Sequence, residues 1–165
     1  MPHPTLFEIT CLGSTIRGLI MERVARCHCG SLRAIVSDEP TLSYVCHCKA
    51  CQQRTGAVIH SGAYFLKEHV RTEGPSNIYS REAASGFAIH FHFCPTCGTS
   101  VYWRTDKRPD HCGVAVGCFA DPSFPAPWRS HWEESKHPWL SLPAKMEHLE
   151  LGVSADGIPM TRRIS

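Results

Sequence analysis

Seven cysteines fall in three clusters: Cys27-His28-Cys29, Cys46-His47-Cys48-Lys49-Ala50-Cys51 and Cys94-Pro95-Thr96-Cys97. Two clusters offer a pair of sulfurs and the middle one offers three. Zinc takes four tetrahedral ligands where it is structural, and often three protein ligands plus an open position where it is catalytic. Two pairs therefore make a closed four-sulfur site, and the triplet makes a three-sulfur site that can meet a substrate. The preferred partition puts Cys27, Cys29, Cys94 and Cys97 together and leaves Cys46, Cys48 and Cys51 as the open set. A three-thiolate zinc is a weak Lewis acid, poorly suited to activating water. It suits the capture of an incoming thiol, which loses its proton on binding. Sulfur chemistry is expected rather than hydrolysis.

These clusters must be carried by short extended segments. Phe87, Ile89, Phe91 and Phe93 alternate with Ala88, His90 and His92, a period-2 pattern. Ser31–Ser37, Thr41–Cys48, Ala57–Leu66, Asn77–Ser80, Thr99–Arg104 and Cys112–Phe119 read as further strands. Gly62 inside its run is expected to mark a bend or bulge. On an extended strand, residues i and i+2 share a face, so Cys27 pairs with Cys29 and Cys46 with Cys48, while His28 and His47 turn away. Cys51 folds back over a turn. Gly98 is expected to take a positive φ beside the Cys94–Cys97 knuckle. Prolines from Pro122 to Pro143 forbid a long helix there, leaving one helical turn within Arg129–Lys136. The expected class is all-β, mainly antiparallel, metal-stabilised, with few short helices.

The 165 residues with 42% hydrophobic and 19% charged content fit one soluble domain. Residues 1–20 read as an N-terminal extension and 21–165 as the domain. A formal charge of +2 and a single adjacent basic pair, Arg162-Arg163, argue against nucleic acid. No apolar run approaches the roughly 20 residues of a membrane-spanning helix. Ten cysteines also permit a disulfide scaffold. The close pair spacings, and a start (Met1-Pro2-His3-Pro4) unlike a signal peptide, favour metal thiolates in the cytoplasm.

The clusters and their flanks resemble the glutathione-dependent formaldehyde-activating family, also called the GFA or CENP-V domain. The resemblance rests on Cys27-His28-Cys29-Gly30, on Cys46–Cys51 with Arg54-Thr55-Gly56-Ala57, and on Phe93-Cys94-Pro95-Thr96-Cys97-Gly98-Thr99. Gly117–Pro122 and Glu134–Trp139 look like later landmarks. Phe119-Ala120 departs from a place where an acidic residue is frequent. The resemblance implies an Mss4-like fold and two zinc ions. Cys27, Cys29, Cys94 and Cys97 would hold the structural ion, and Cys46, Cys48 and Cys51 the catalytic one. It implies a carbon–sulfur lyase that reversibly joins glutathione, or another small thiol, to formaldehyde. Glutathione carboxylates need cations; Arg54 is the first candidate, with Lys49, Arg81 and Arg104 behind it. His47, His90 and His92 are candidate proton shuttles, and Trp128, Trp132 and Trp139 candidate pocket walls. The alternative is a non-enzymatic zinc-scaffolded binding module. Oligomeric state is not legible.

Overall fold

The computed structural model describes residues 22–154 and 158–160. The expected extension, residues 1–20, lies outside them. The elements in chain order are β1 (Arg23–Arg26), β2 (Arg33–Val36), β3 (Leu42–Cys46), α1 (Lys49–Thr55), β4 (His60–Leu66), β5 (Val70–Glu73), β6 (Asn77–Glu82), β7 (Ala88–Phe93), β8 (Ser100–Thr105), β9 (His111–Ala115), β10 (Arg129–His131) and β11 (Glu147–His148). Short 3₁₀ turns cover Lys67–His69, Val116–Phe119 and Glu133–Ser135. The all-β expectation therefore holds, with α1 as the single α-helix among the described residues.

Two sheets form. The smaller has the order β1-β2-β5 and the larger β11-β10-β3-β4-β9-β8-β7-β6. Every pairing is antiparallel except those of β10 with β3 and β11. The segment expected to be one helical turn is thus split: Arg129–His131 adds a parallel strand beside β3, and only Glu133–Ser135 is helical. A β-bulge falls between His92 and Phe93, where the chain leaves β7 for the Cys94 turn.

Strand alternation gives the larger sheet two different faces. Ala63 and Phe65 of β4 and Cys112 and Val114 of β9 join Ala25, Leu32, Ala34 and Val36 of the smaller sheet in one buried core. Burying a side chain the size of Leu32 or Phe65 contributes roughly 1.5–3 kcal/mol. The opposite face carries Tyr44 of β3, His60 and Tyr64 of β4, Trp103 of β8 and His131 of β10, whose rings meet one another.

Glycine makes room for that aromatic face. A Cβ on Gly113 would lie 2.0 Å from Trp103 Cε2. One on Gly62 would lie 2.8 Å from Trp103 Cη2 and 3.0 Å from the Tyr44 hydroxyl. Gly62 therefore marks no bulge: β4 runs in unbroken register against both β3 and β9. It is a gap that two rings fill.

Candidate metal centres and cleft

Turns, rather than strands, present the first and third clusters. β1 ends at Arg26, and Cys27–Gly30 closes a tight turn through Gly30 N–H donating to Cys27 O at 2.9 Å. Gly98 closes its counterpart onto Cys94 O at 2.9 Å with φ +74°, as expected of it. The two turns face each other. Cys27 Sγ lies 3.5 Å from Cys29 Sγ, and Cys29 Sγ lies 3.6 Å from Cys94 Sγ. All four sulfurs, Cys97 included, lie within 4.8 Å of one another. Four sulfurs on a tetrahedral zinc at about 2.3 Å stand about 3.8 Å apart, so the donor set fits that ion in softness and spacing. Leu32 N–H donates to Cys27 Sγ at 3.2 Å, and Thr99 Oγ1 lies 3.4 Å from Cys97 Sγ. Contacts of this kind favour the thiolate; hydrogen bonding, led by Thr99, draws Cys97 down to about 5.

Cys46, Cys48 and Cys51 form the second group, again within 4.8 Å of one another. Cys46 ends β3, Cys48 caps α1, and Cys51 sits in its first turn. Cys51 N–H donates to Cys48 Sγ at 3.4 Å, so the sulfur serves as the helix cap. Contact with the Cys46 and Cys51 sulfurs draws Cys48 well below the ordinary thiol range and pushes Cys46 up. No fourth His, Cys, Asp or Glu joins this group among the described residues. All nine described cysteines are free thiols.

The two groups differ in surroundings. Cys46, Cys48 and Cys51 line a cleft of about 740 Å³, whereas Cys27, Cys29, Cys94 and Cys97 do not. Tyr44 and Tyr64 lie at the cleft floor, Arg81 and Ala83–Ser85 come from the β6–β7 hairpin, and Lys49 and Arg108 are cationic neighbours. Gln52 ties the far wall. Its amide nitrogen donates to His47 O at 2.6 Å and Ser135 O at 3.0 Å, and its Oε1 lies 3.1 Å from His137 Nε2. With both amide protons used, Oε1 is left to accept, which places a proton on His137 Nε2. His137 falls within the Glu134–Trp139 landmark, whereas Gln52, an amide two residues after Ala50, carries no signal in the sequence.

Other expected residues are placed as follows. Arg54 stacks on Phe91 with its guanidinium carbon 4.2 Å from the ring centre, and Nη2 lies 3.4 Å from His60 Nδ1. It is not among the residues lining the cleft, whereas Arg81 and Lys49 are. The Arg81 charge also favours the Cys48 thiolate, after the contacts with the Cys46 and Cys51 sulfurs. Arg104 is exposed on β8. His47 is fully buried, and neither ring nitrogen has a hydrogen-bond partner among the described residues. His90 and His92 lie on the side of β7 that meets Ser80 and Tyr102. Trp132 lines the cleft; Trp128 and Trp139 are exposed elsewhere. Burial holds His60 down at about 3 and His131 at about 4, so both are neutral imidazoles at neutral pH.

Both cysteine groups lie within the part of the chain that matches a known family. The model of the glutathione-dependent formaldehyde-activating enzyme family matches residues 22–140, and the chain belongs to that family. Among solved structures, the crystal structure of a Rhodobacter sphaeroides protein is 26% identical, with a TM-score of 0.43, over 59% of this chain and 86% of that one. No curated protein matches the chain. No helix among the described residues is long and apolar enough to cross a membrane.

Proposed function

We propose that the chain is a zinc-dependent carbon–sulfur lyase that reversibly combines glutathione, or a closely related small thiol, with formaldehyde in a cytoplasmic setting. One observation carries the reading: the three-cysteine group has no fourth protein ligand among the described residues and lines the cleft, while the four-cysteine group lies away from it. Cys27, Cys29, Cys94 and Cys97 would hold a structural ion. Cys46, Cys48 and Cys51 would hold the reactive one. Zinc there supplies one thing when bound, the capture of an incoming thiol as thiolate.

The chain's own residues do the rest. Arg81 and Lys49, beside the sulfurs, attract the carboxylates of the thiol. Arg54 does not line the cleft; it packs on the Phe91 ring that Arg81 also approaches at 5.7 Å. Gln52 holds the His137 segment against α1. Confining thiol and aldehyde in one cleft makes a bimolecular addition effectively unimolecular.

Native mass spectrometry with and without glutathione tests this. Two zinc ions and one glutathione, with the glutathione and one ion lost in Cys48→Ser, is the expected result. Two zinc ions with no glutathione at millimolar excess would favour a metal-scaffolded binding module.

A further inference from the structure

Tyr44 stands two residues before Cys46 on β3, and strand alternation puts both in the cleft. Same-face neighbours on a strand are about 6.5–7 Å apart at the backbone, so the two side chains rise from adjacent points of one cleft wall. Its ring is held on several sides. Tyr64 stacks on it at 5.8 Å and 18°, and His131 and His60 meet it edge-on at 5.4 and 6.3 Å. Below, the missing side chain of Gly62 receives the Cζ–hydroxyl end of the ring.

Tyr64 is itself anchored. An indole N–H can only donate, and that of Trp103 donates to the Tyr64 hydroxyl at 3.1 Å. The anchored Tyr64 ring, by its stack on Tyr44, then fixes the phenol in the wall of the cleft that the three sulfurs also line.

We propose that Tyr44 is the hydrogen-bond donor to the aldehyde oxygen during carbon–sulfur bond formation, with Tyr64 as its positioning residue. This rests on the reading of the cleft as a thiol–aldehyde site. As the thiolate sulfur bonds to the carbonyl carbon, the C=O π pair moves onto oxygen. The Tyr44 hydroxyl meets the growing negative charge and keeps its own proton. The proton that completes the product hydroxyl comes from solvent and balances the one the thiol released on entry. In reverse, the same contact steadies the oxygen as the carbon–sulfur bond breaks. A fixed donor aimed at developing charge costs no reorganisation when the charge appears.

The test is NMR exchange spectroscopy of glutathione, formaldehyde and their adduct, with wild type, Tyr44→Phe and Tyr64→Phe, alongside zinc content and thermal midpoint. Tyr44→Phe deletes only the oxygen and leaves the ring stack. The expected result is a fall in kcat of about 10²-fold, the order found for losing one oxyanion donor, with KM for glutathione, zinc content and midpoint unchanged. Tyr64→Phe should lower kcat less, again with KM unchanged. An active wild type with Tyr44→Phe at full kcat overturns the proposal and leaves the functional reading standing. A fall in kcat that tracks lost zinc or a lowered midpoint also overturns it, since the role would then be structural. A wild type that fails to accelerate exchange overturns the functional reading, and the Tyr44 assignment with it.

Discussion

The Arg54 guanidinium lies 4.2 Å above the Phe91 ring, and Arg81 lies over the same ring at 5.7 Å. One aromatic side chain on β7 thus gathers two cations, one from α1 and one from the edge strand β6. Only Arg81 lines the cleft.

This arrangement separates the roles of the two arginines. Arg81→Gln should raise KM for glutathione about tenfold, the equivalent of one charge-assisted contact worth about 1.4 kcal/mol, with little change in the urea midpoint. Arg54→Gln should lower stability by about 1–2 kcal/mol through the lost ring contact, with a smaller change in KM. The reverse pattern would make Arg54 the substrate anchor. Steady-state kinetics and urea unfolding of both variants decide.

The two cysteine groups should respond differently to single serine replacements. Cys94→Ser breaks a cross-link between turns 65 residues apart in sequence and should collapse the cooperative thermal transition or lower its midpoint sharply. Cys48→Ser touches a group confined to six residues, 46–51, and should keep the fold while losing one zinc. Equal loss of fold in both would show that the triad is architectural as well.

Gly113→Ala and Gly62→Ala should rank by clearance. At 2.0 Å from the indole, a methyl on Gly113 forces Trp103 out of place. At 2.8 Å from its far edge, one on Gly62 asks for a smaller shift. Overpacking of this kind costs typically 1–3 kcal/mol, so Gly113→Ala should sit at or above the upper end and Gly62→Ala lower. Urea unfolding measures the order; equal values would mean that the aromatic floor yields freely.

Acid should destabilise the protein earlier than its carboxylates require. His60 and His131 are buried, with folded values of about 3 and 4. Unfolded histidine titrates near 6.5, so between these limits the unfolded chain binds the extra protons. Stability from each is complete above about pH 6.5 and falls by about 1.4 kcal/mol per unit as pH drops toward the folded value. Replacing His131 by Asn should remove one group's share of the slope between pH 6.5 and 4.5. Zinc content measured at each pH separates this from ligand protonation, and an unchanged slope would remove His131 from the account.

Much of the architecture was readable because its signals are local. The Phe87–Phe93 alternation marks β7, and Gly98 after Cys94-Pro95-Thr96-Cys97 marks a turn that needs a positive φ. What escaped depends on distant parts of the chain. Cys27 and Cys29 read as a strand pair because a two-residue spacing fits both a strand and a tight turn, and only the Gly30 closure distinguishes them. β10 contains three residues and exists by pairing with β3, so no periodicity announces it. Gly62 looked like a bend because its purpose lies in Trp103, more than forty positions later. Arg54 sits beside the triad in sequence, yet its guanidinium goes to Phe91, a partner on another strand.

The separation of the two cysteine groups along the chain also sets a timetable. The triad is complete once Cys51 has been made, whereas the four-cysteine group waits for Cys97, 46 residues later. At roughly 5–20 residues per second of synthesis, that interval is about 2–9 s. Throughout it, the Cys27–Cys29 turn and the triad are both present without the second knuckle. A nascent chain therefore passes through a stage with five clustered thiols and no correct partner for two of them. Whatever ion arrives then can bridge the wrong sulfurs, and the emergence of the β7–β8 hairpin becomes the event that sorts them.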